Sequence, residues 1–344
     1  MSDLPREGIE RFDSIEPFQP HPLCPSGFMQ TVSVKWNRPD LDPENDLRCT
    51  AFDVEDDQTP PDVMSGFYLQ PELDVEPERP LVLVLHGMGG HALSGYMRSI
   101  AERLLSAGYP VLLWNNRGAG GSARRCKRLH HPGYTDDLRR LIDWLTDHQP
   151  RWIRRGLYSV AFSLGANLLL KYLGETGSDS RIAAAVSVSA PLDMETTSQQ
   201  LRTGINRVFD KYLLKKQRDE LLRDNADIDD EERNVIRSVR SVWELDDQFT
   251  GPRLGYDGAK EFYRENSAIE TLDGVGVPTL VIHADDDPVV DPDVLSDRQW
   301  ADGGPLFPAM TPRGGHTGFY AADGSRWHKN TAVRFFDHIL QSSH

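Results

Sequence analysis

The sequence predicts an α/β fold, in which helices flank a mostly parallel central sheet, and three observations lead to it. Short runs that are apolar on both faces, as in strands buried within a parallel sheet, recur along the chain. Segments with apolar residues at helical spacing lie between these runs, so the pattern predicts successive βαβ units. A chain of 344 residues can also bury a large core without disulfides or metals.

The individual elements follow from the same two patterns. The run LVLVL at 81–85 stops at His86-Gly87 and predicts a central strand. Further strands are predicted at 66–70, 109–114, 157–162, 184–189, 279–283 and 306–311. The helices between them have predicted apolar faces formed by Ile100, Leu104 and Leu105, by Leu138, Leu141, Ile142 and Leu145, and by Leu164, Leu168, Leu169 and Tyr172.

The alternation stops after residue 191, where two helical patterns replace it. The first is an apolar stripe, part of which is expected to pack onto the main domain, formed by Leu201, Ile205, Val208 and Tyr212. The second begins at Asp229, three residues before Glu232, a spacing typical of a helix capping box. These patterns predict a helical insertion on the rim of the sheet.

The predicted organisation is one main domain with an N-terminal arm. Residues 1–60 are rich in Pro, Asp and Glu and show no sustained periodicity, so we expect an arm packed on the core. The main domain is expected to cover 61–344, with the helical cap insertion at about 191–262.

Composition excludes several classes of protein. The chain has 38 Lys and Arg against 53 Asp and Glu, a net charge of −15, whereas nucleic-acid-binding proteins normally present a basic face. Three scattered cysteines predict neither a disulfide framework nor a zinc site. The sequence shows no apolar leader and no apolar run near the ~20 residues of a membrane span, so we expect a cytoplasmic protein.

One serine lies between an apolar strand pattern and an apolar helix pattern. The stretch Ala161-Phe162-Ser163-Leu164-Gly165 has small residues two before and two after Ser163. A nucleophile elbow needs small residues there, because its backbone turns so sharply that larger side chains would strike the neighbouring strand or helix. Ser163 is therefore the candidate nucleophile, and a serine that merely caps a helix is the alternative.

A Gly-rich turn, HGMGG, follows the run at 81–85. Where a serine lies on such an elbow, the oxyanion hole takes one N–H from a turn after an early strand and one from the residue after the serine. Those N–H groups belong here to Met88 and Leu164. A nucleotide-binding turn is the alternative, but the G-x-G-x-x-G pattern and a following P-loop lysine are absent from the sequence.

An acid and a base follow at the ends of later strands. Three aspartates, 285–287, end one predicted strand, and His316 follows the last one in the stretch GGHTG. The chain order Ser, Asp, His suits a triad in which the acid fixes the imidazole tautomer and the imidazole takes the serine proton. We favour Asp287 as the acid, with Asp286 as the alternative.

Several further stretches resemble one family. They are GFMQTV (27–32), NNRGAGGS (115–122), HHPGYTDDLRRLIDWL (130–145), SAPLDM (189–194) and the acidic segment at 243–267. Together with the serine elbow they resemble the YheT-type branch of the α/β-hydrolase superfamily, which is related to the abhydrolase-domain lipases and esterases. The resemblance covers about residues 27–340 and departs from the branch at Ala161, where the branch usually has Gly.

The resemblance implies a serine hydrolase of carboxylic or lipid esters with Ser163, Asp287 and His316 as its triad. It implies no metal and no organic cofactor. A thioesterase or another acyl hydrolase on the same triad is the alternative, and a non-catalytic binding protein of the same fold is a further one. The partner expected is a small-molecule or lipid ester; contact with a membrane surface and the oligomeric state stay open.

Two more features carry expectations about substrate. Phe209 and Leu213 lie a step around the cap helix from the apolar stripe, and we expect them to form apolar wall of an acyl pocket beside Ser163. The basic loop 124–128 suggests an anionic headgroup site, but a solvated loop balanced by Asp136 and Asp137 is favoured, since charge runs usually face water.

Overall fold

The computed structural model describes Phe12 and residues 15–36, 38–224, 226–301 and 303–342. The strands are β1 (Cys49–Glu55), β2 (Val63–Leu69), β3 (Leu81–Leu85), β4 (Val111–Trp114), β5 (Leu157–Phe162), β6 (Ile182–Val188), β7 (Thr279–Ala284) and β8 (Leu306–Thr311). They form one eight-stranded sheet in the order β1-β2-β4-β3-β5-β6-β7-β8.

Helices connect and cover these strands. They are α1 (Gly27–Ser33), α2 (Gly95–Ser106), α3 (Asp136–His148), α4 (Leu164–Thr176), α5 (Met194–Leu201), α6 (Arg207–Leu221), α7 (Asp230–Ser238), α8 (Val242–Leu245), α9 (Gly251–Arg253), α10 (Gly258–Asn266), α11 (Asp293–Ser296) and α12 (Trp327–Ser342). A π-helical turn, Asp246–Thr250, joins α8 to α9.

The sheet is parallel from β4 through β8, and β2 pairs antiparallel with both of its neighbours, β1 and β4. Every residue of β3, β4 and β5 is buried, as the two-sided apolar runs predict. The predicted α/β fold with a mostly parallel sheet is therefore confirmed. Because parallel strands end at the same edge, the loops after β3, β5, β7 and β8 meet there.

Each face of the sheet is covered by its own helices. On one face, Val82 and Val160 pack in a cluster with residues of α2 and α12, among them Ile100 and Phe336. On the other face, residues of α3 and α4 complete a second cluster. The apolar faces predicted for α2 and α3 are those that turn toward the sheet. Of the face predicted for α4, Leu169 and Tyr172 do so, whereas Leu164 packs with Met194 and Phe262.

The first 60 residues contribute more than the predicted arm. Within them, β1 pairs with β2 at the edge of the sheet, and α1 lies against the loop that follows β8. Phe12 and Phe18 pack on the core beside Phe335 and Trp327. The strand escaped sequence analysis because an edge strand keeps polar residues, here Asp53 and Glu55, on its solvent side.

The segment 191–262 is helical, but its apolar stripe is not one continuous helical face. The chain breaks after α5 into a 3-10 turn before α6 begins at Arg207. Leu201 is buried, whereas Ile205 and Val208 are 67% and 55% exposed and Tyr212 is 44% exposed. We expected part of this stripe to pack the insertion onto the main domain, and of the four residues Leu201 is the one that is buried. The predicted capping box at Asp229 is confirmed as the start of α7.

None of the helices within the described parts of the chain has the length and apolar character needed to cross a membrane.

Candidate active site

Ser163 lies on a sharp turn between β5 and α4. Its backbone angles, φ 51° and ψ −123°, are ones that L-residues rarely adopt, so packing must hold the turn in place. A methyl group on Gly165 would lie 2.4 Å from the carbonyl oxygen of His86, and one on Gly87 would lie 2.9 Å from Cβ of Ser163. These glycines allow the turn at Ser163 to lie close to the turn after β3. The small side chain of Ala161 is fully buried in β5.

Two hydrogen bonds join Ser163, His316 and Asp287. His316 Nε2 lies 2.8 Å from Ser163 Oγ, and His316 Nδ1 lies 2.9 Å from Asp287 Oδ2. Both distances are within hydrogen-bonding range. The structure therefore brings together three side chains, of which Ser163 and His316 are 153 residues apart along the chain.

Asp287 is held as a carboxylate in a buried position. Its side chain is fully buried, and its Oδ1 accepts the backbone N–H groups of Val289 and Val290 at 2.8 and 3.1 Å. Burial raises the pKa of this carboxyl, but the charge and hydrogen bond of His316, with help from His283 and the Val289 N–H, outweigh it. The net pKa lies below the ordinary aspartate value.

The neighbouring aspartates have different surroundings. Asp286 Oδ1 accepts the backbone N–H of Gly315 at 2.8 Å, one residue before His316. Asp285 is exposed, and its backbone N–H donates to the carbonyl of Thr311. Of the three aspartates, Asp287 alone hydrogen-bonds the imidazole of His316, within the described chain.

The loop that carries His316 is held by the N-terminal segment. Thr31 Oγ1 accepts the backbone N–H of His316 at 2.8 Å. Gln30, fully buried, donates from its amide to the carbonyls of Cys24 and Tyr320 and accepts the Tyr320 N–H. Sequence analysis singled out the stretch at 27–32 only as a resemblance and missed this supporting role.

The two N–H groups predicted for an oxyanion hole face no acceptor. Neither Met88 N–H nor Leu164 N–H donates to an acceptor within the described part of the protein. The preceding residue, Gly87, donates its N–H to the hydroxyl of Tyr96 at 3.0 Å. Burial lowers the pKa of His86 to about 4, so its imidazole is neutral and its Nε2 accepts the N–H of Asn116.

A cavity of about 780 Å³ opens beside Ser163 and His316. Phe209 and Leu213, the predicted pocket residues on α6, both line it. They pack against a small apolar cluster of Leu201, Val289 and Val290. This wall of the cavity is therefore apolar, and it begins at the loop that holds Asp287.

The basic loop 124–128 lies outside this cavity, and several of its cations are paired. Arg125 contacts Asp53, and Arg128 contacts Asp56 and Asp62. Arg117, which is buried next to this loop, forms ion pairs with Asp56, Asp62 and Asp137. The partners are thus mostly different from the Asp136 and Asp137 named in the sequence analysis.

No group of three or more His, Cys, Asp or Glu side chains in the described ranges is arranged to hold a metal ion. Burial raises the pKa of the Cys126 thiol, so its basic neighbours do not activate it.

The chain is similar in sequence to known proteins. Residues 80–322 match the family model for the alpha/beta hydrolase fold. The chain is 33% identical to YheT of Escherichia coli (strain K12) over 258 residues, which are 70% of this chain and 71% of that protein. It is 30% identical to the monoacylglycerol lipase of Saccharomyces cerevisiae over 275 residues, or 77% of this chain, but spans only 60% of that lipase.

Among solved structures, an esterase of Pyrococcus furiosus superposes with a TM-score of 0.58 and covers 88% of this chain and 95% of its own. Its sequence identity is 16%, so the likeness concerns the fold alone.

Proposed function

The chain belongs to the α/β-hydrolase fold family, in its YheT-type branch, and from this premise we propose that it is a serine hydrolase of carboxylic esters. The observation that carries the proposal is the pair of hydrogen bonds that links Ser163 through His316 to Asp287. Such a chain activates a serine hydroxyl, which is a weak nucleophile on its own.

In the acylation step, Ser163 Oγ attacks the ester carbonyl carbon while His316 Nε2 accepts the hydroxyl proton. The tetrahedral intermediate then collapses, the C–O bond to the alcohol breaks, and His316 returns the proton to the departing oxygen. In the second step, water attacks the acyl-enzyme, with His316 again taking and returning one proton. The products are a carboxylic acid and an alcohol.

Asp287 acts in this scheme as the residue that orients the base. Its ionised carboxylate accepts the Nδ1–H of His316, which leaves Nε2 free to accept the proton of Ser163. It also stabilises the imidazolium that forms during each step. The lowered pKa of Asp287 supports this role, because the carboxylate stays charged at neutral pH.

The oxyanion of the intermediate would be stabilised by the N–H groups of Met88 and Leu164. Both are free to donate, and Leu164 is the first residue of α4, where the helix N-terminus favours negative charge. Preorganised donors of this kind lower the barrier by several kcal/mol. The bond from Gly87 to Tyr96 supports the proposal, since it fixes the turn that carries Met88.

The cavity supports the proposed class of substrate. Its volume of about 780 Å³ is within the range of small-molecule sites, and Phe209 and Leu213 would form the acyl wall. We propose that residues 191–262 act as the cap of the domain 61–344 and that 1–60 form an arm on its core. Relatives named as a lipase and an ester synthase/esterase support an ester of a fatty acid as substrate.

The test combines turnover with active-site labelling. The wild-type protein should hydrolyse p-nitrophenyl butyrate and react covalently with a fluorophosphonate probe, and Ser163→Ala should lose both while it keeps its fold. Hydrolysis of butyryl-thiocholine faster than butyrylcholine would favour the thioesterase alternative. Absence of both turnover and labelling in the wild type would favour the non-catalytic binding protein.

A further inference from the structure

One face of α6 lines the cavity along its whole length and changes character halfway. Phe209 and Leu213 are followed, at helical spacing, by Lys216, Gln217 and Glu220. From Leu213 to Glu220 the helix rises roughly 10 Å, at about 1.5 Å per residue. The cavity therefore has an apolar end and a second end, here called the polar end, defined by Lys216, Gln217, Glu220 and Arg223.

The polar end contains buried polar atoms whose hydrogen bonds are unmet, although Nη1 and Nη2 of Arg223 donate to the carbonyls of Glu220 and Cys126. Gln217 Oε1 and Arg223 Nε are both buried and lack a partner among the described residues. His130 lines the same cavity, and its Nδ1 is also buried and without a partner in the described chain. Buried polar groups in folded proteins are almost always satisfied, so these atoms point to a polar ligand group.

Positive charge exceeds negative charge around this end. Lys216, Arg223 and Arg98 line the cavity. The acids of its lining are Glu220, on this helix, and Asp246. Burial raises the pKa of Glu220 to about 7, although Arg223 and Lys216 act to lower it. Near neutral pH the acid is thus partly protonated, and a cationic site lies inside a chain whose net charge is −15.

The polar end also lies next to the reaction centre. Lys216 packs its aliphatic stem on Gly89, where an added methyl group would lie 2.7 Å from Lys216 Cβ. Gly89 directly follows Met88, one of the two residues with free N–H groups. The guanidinium of Arg223 lies against Gly118, another residue of the cavity lining.

We infer that the polar end is a subsite for an anionic group, a phosphate or a carboxylate, carried on the alcohol part of the ester. This inference rests on the proposed esterase function and adds the substrate class. The apolar end would take the acyl chain, the ester carbon would lie at Ser163, and the anion would lie between Lys216 and Arg223. A neutral polyol is the competing ligand, since hydroxyl groups also satisfy amide and imidazole atoms.

Matched substrates separate these two ligands. We would measure kcat/KM for 1-octanoylglycerol, for 1-octanoylglycerol 3-phosphate and for the octanoyl ester of glycerate, all below their critical micelle concentrations. For one of the anionic esters, kcat/KM should be on the order of tenfold higher than for the neutral ester. The reason is that an anionic group forms strong, charge-assisted hydrogen bonds with Lys216 and Arg223. Which anionic ester is faster identifies phosphate or carboxylate as the natural group.

Two variants test where the preference arises. Lys216→Met keeps the aliphatic stem on Gly89 and removes the charge, and it should reduce the anionic-to-neutral ratio severalfold. Lys215→Met is the matched control, because Lys215 is 73% exposed and pairs with Asp219 outside the cavity. The control removes one positive charge from the adjacent residue. It therefore reports any effect of the protein's overall electrostatic field on the ratio.

Three outcomes would overturn the inference. They are equal kcat/KM values for anionic and neutral esters, a ratio that Lys216→Met leaves unchanged, and a ratio that Lys215→Met lowers as much as Lys216→Met does. Failure of the proposed function itself would look different, since the wild-type protein would then hydrolyse neither 1-octanoylglycerol nor p-nitrophenyl butyrate.

Discussion

The hydroxyl of Thr31 accepts the backbone N–H of His316 at 2.8 Å, although 285 residues separate them in the chain. Gly27, one turn earlier in α1, abuts the backbone of Asp286, where an added methyl group would overlap the Asp286 carbonyl. The N-terminal helix thus contacts both loops that supply the proposed acid and base. Its role is to position those loops, since it does not itself contact Ser163.

We expect Thr31→Val to lower kcat for p-nitrophenyl butyrate on the order of tenfold with little change in KM, because small misplacements of catalytic groups are costly. Thr31→Ser keeps the hydroxyl and should remain close to wild type. Equal losses in the two variants would contradict a role for the hydrogen bond and would indicate that only the methyl group packs.

The sequence predicted this site only in part, for a physical reason. Ser163 and His316 follow strands whose order along the chain is typical of the family, and the family itself is confirmed. The roles of Gln30 and Thr31 depend on a contact between the two ends of the chain, which no local pattern encodes. The same limit explains α6, where Phe209 is partly buried and Val208 is exposed because of what packs against the helix.

Sequence analysis predicted the central strands but missed an edge strand. Strands β3 and β5 were predicted with their observed bounds, because strands buried on both faces are apolar throughout. Strand β1 was missed, because its hydrogen bonds go to β2 on one side only and half of its residues face water. Edge strands thus lack the signal that made the central ones visible.

The three aspartates after β7 should differ sharply in their effects. Asp287→Asn should lower kcat by about 10⁴-fold, because an amide favours the wrong tautomer of His316. Asp286→Asn should cost far less, since its amide oxygen can still accept the Gly315 N–H, and Asp285→Asn should be neutral. Measured kcat values, with circular dichroism as the check on folding, decide the order. If Asp286→Asn is the most damaged, the acid has been assigned one residue too late.

Glu220 should make the folded protein less stable as pH rises. Its pKa is about 7 in the folded state, against an ordinary value of 4.5, so between these values the folded protein binds more protons than the unfolded chain. Stability therefore falls through this window, and the full penalty is present above pH 7. Glu220→Gln should be more stable than wild type at pH 8, by about 1–3 kcal/mol, and equal to it at pH 4.

Urea-induced unfolding at the two pH values measures this difference. Glu231→Gln is the control, because Glu231 is exposed on the neighbouring helix α7. If Glu220→Gln raised the free energy of unfolding at pH 4 as much as at pH 8, the substitution would act through packing and not through the titration of Glu220.

The apolar end of the cavity should set the preference for acyl-chain length. Phe209 contacts the ring of Phe28, with 5.2 Å between centroids, and both line the cavity with Leu213. A long acyl chain would lie against these side chains, whereas an acetyl group would end at Ser163. Because each buried methylene contributes about 0.8 kcal/mol, kcat/KM should rise with chain length in the wild type until the cavity is filled.

Phe209→Ala or Leu213→Ala should flatten that rise and leave the acetyl ester almost unchanged, since the lost contacts concern only the distal methylenes. A series of p-nitrophenyl esters from acetate to decanoate measures the slope for each variant. Ile205→Ala is the control, because Ile205 is 67% exposed and lies outside the cavity lining although it belongs to the same segment. Equal losses on every chain length would mean that Phe209 and Leu213 hold the cap in place without touching the acyl chain, because a displaced cap would disturb short and long esters alike.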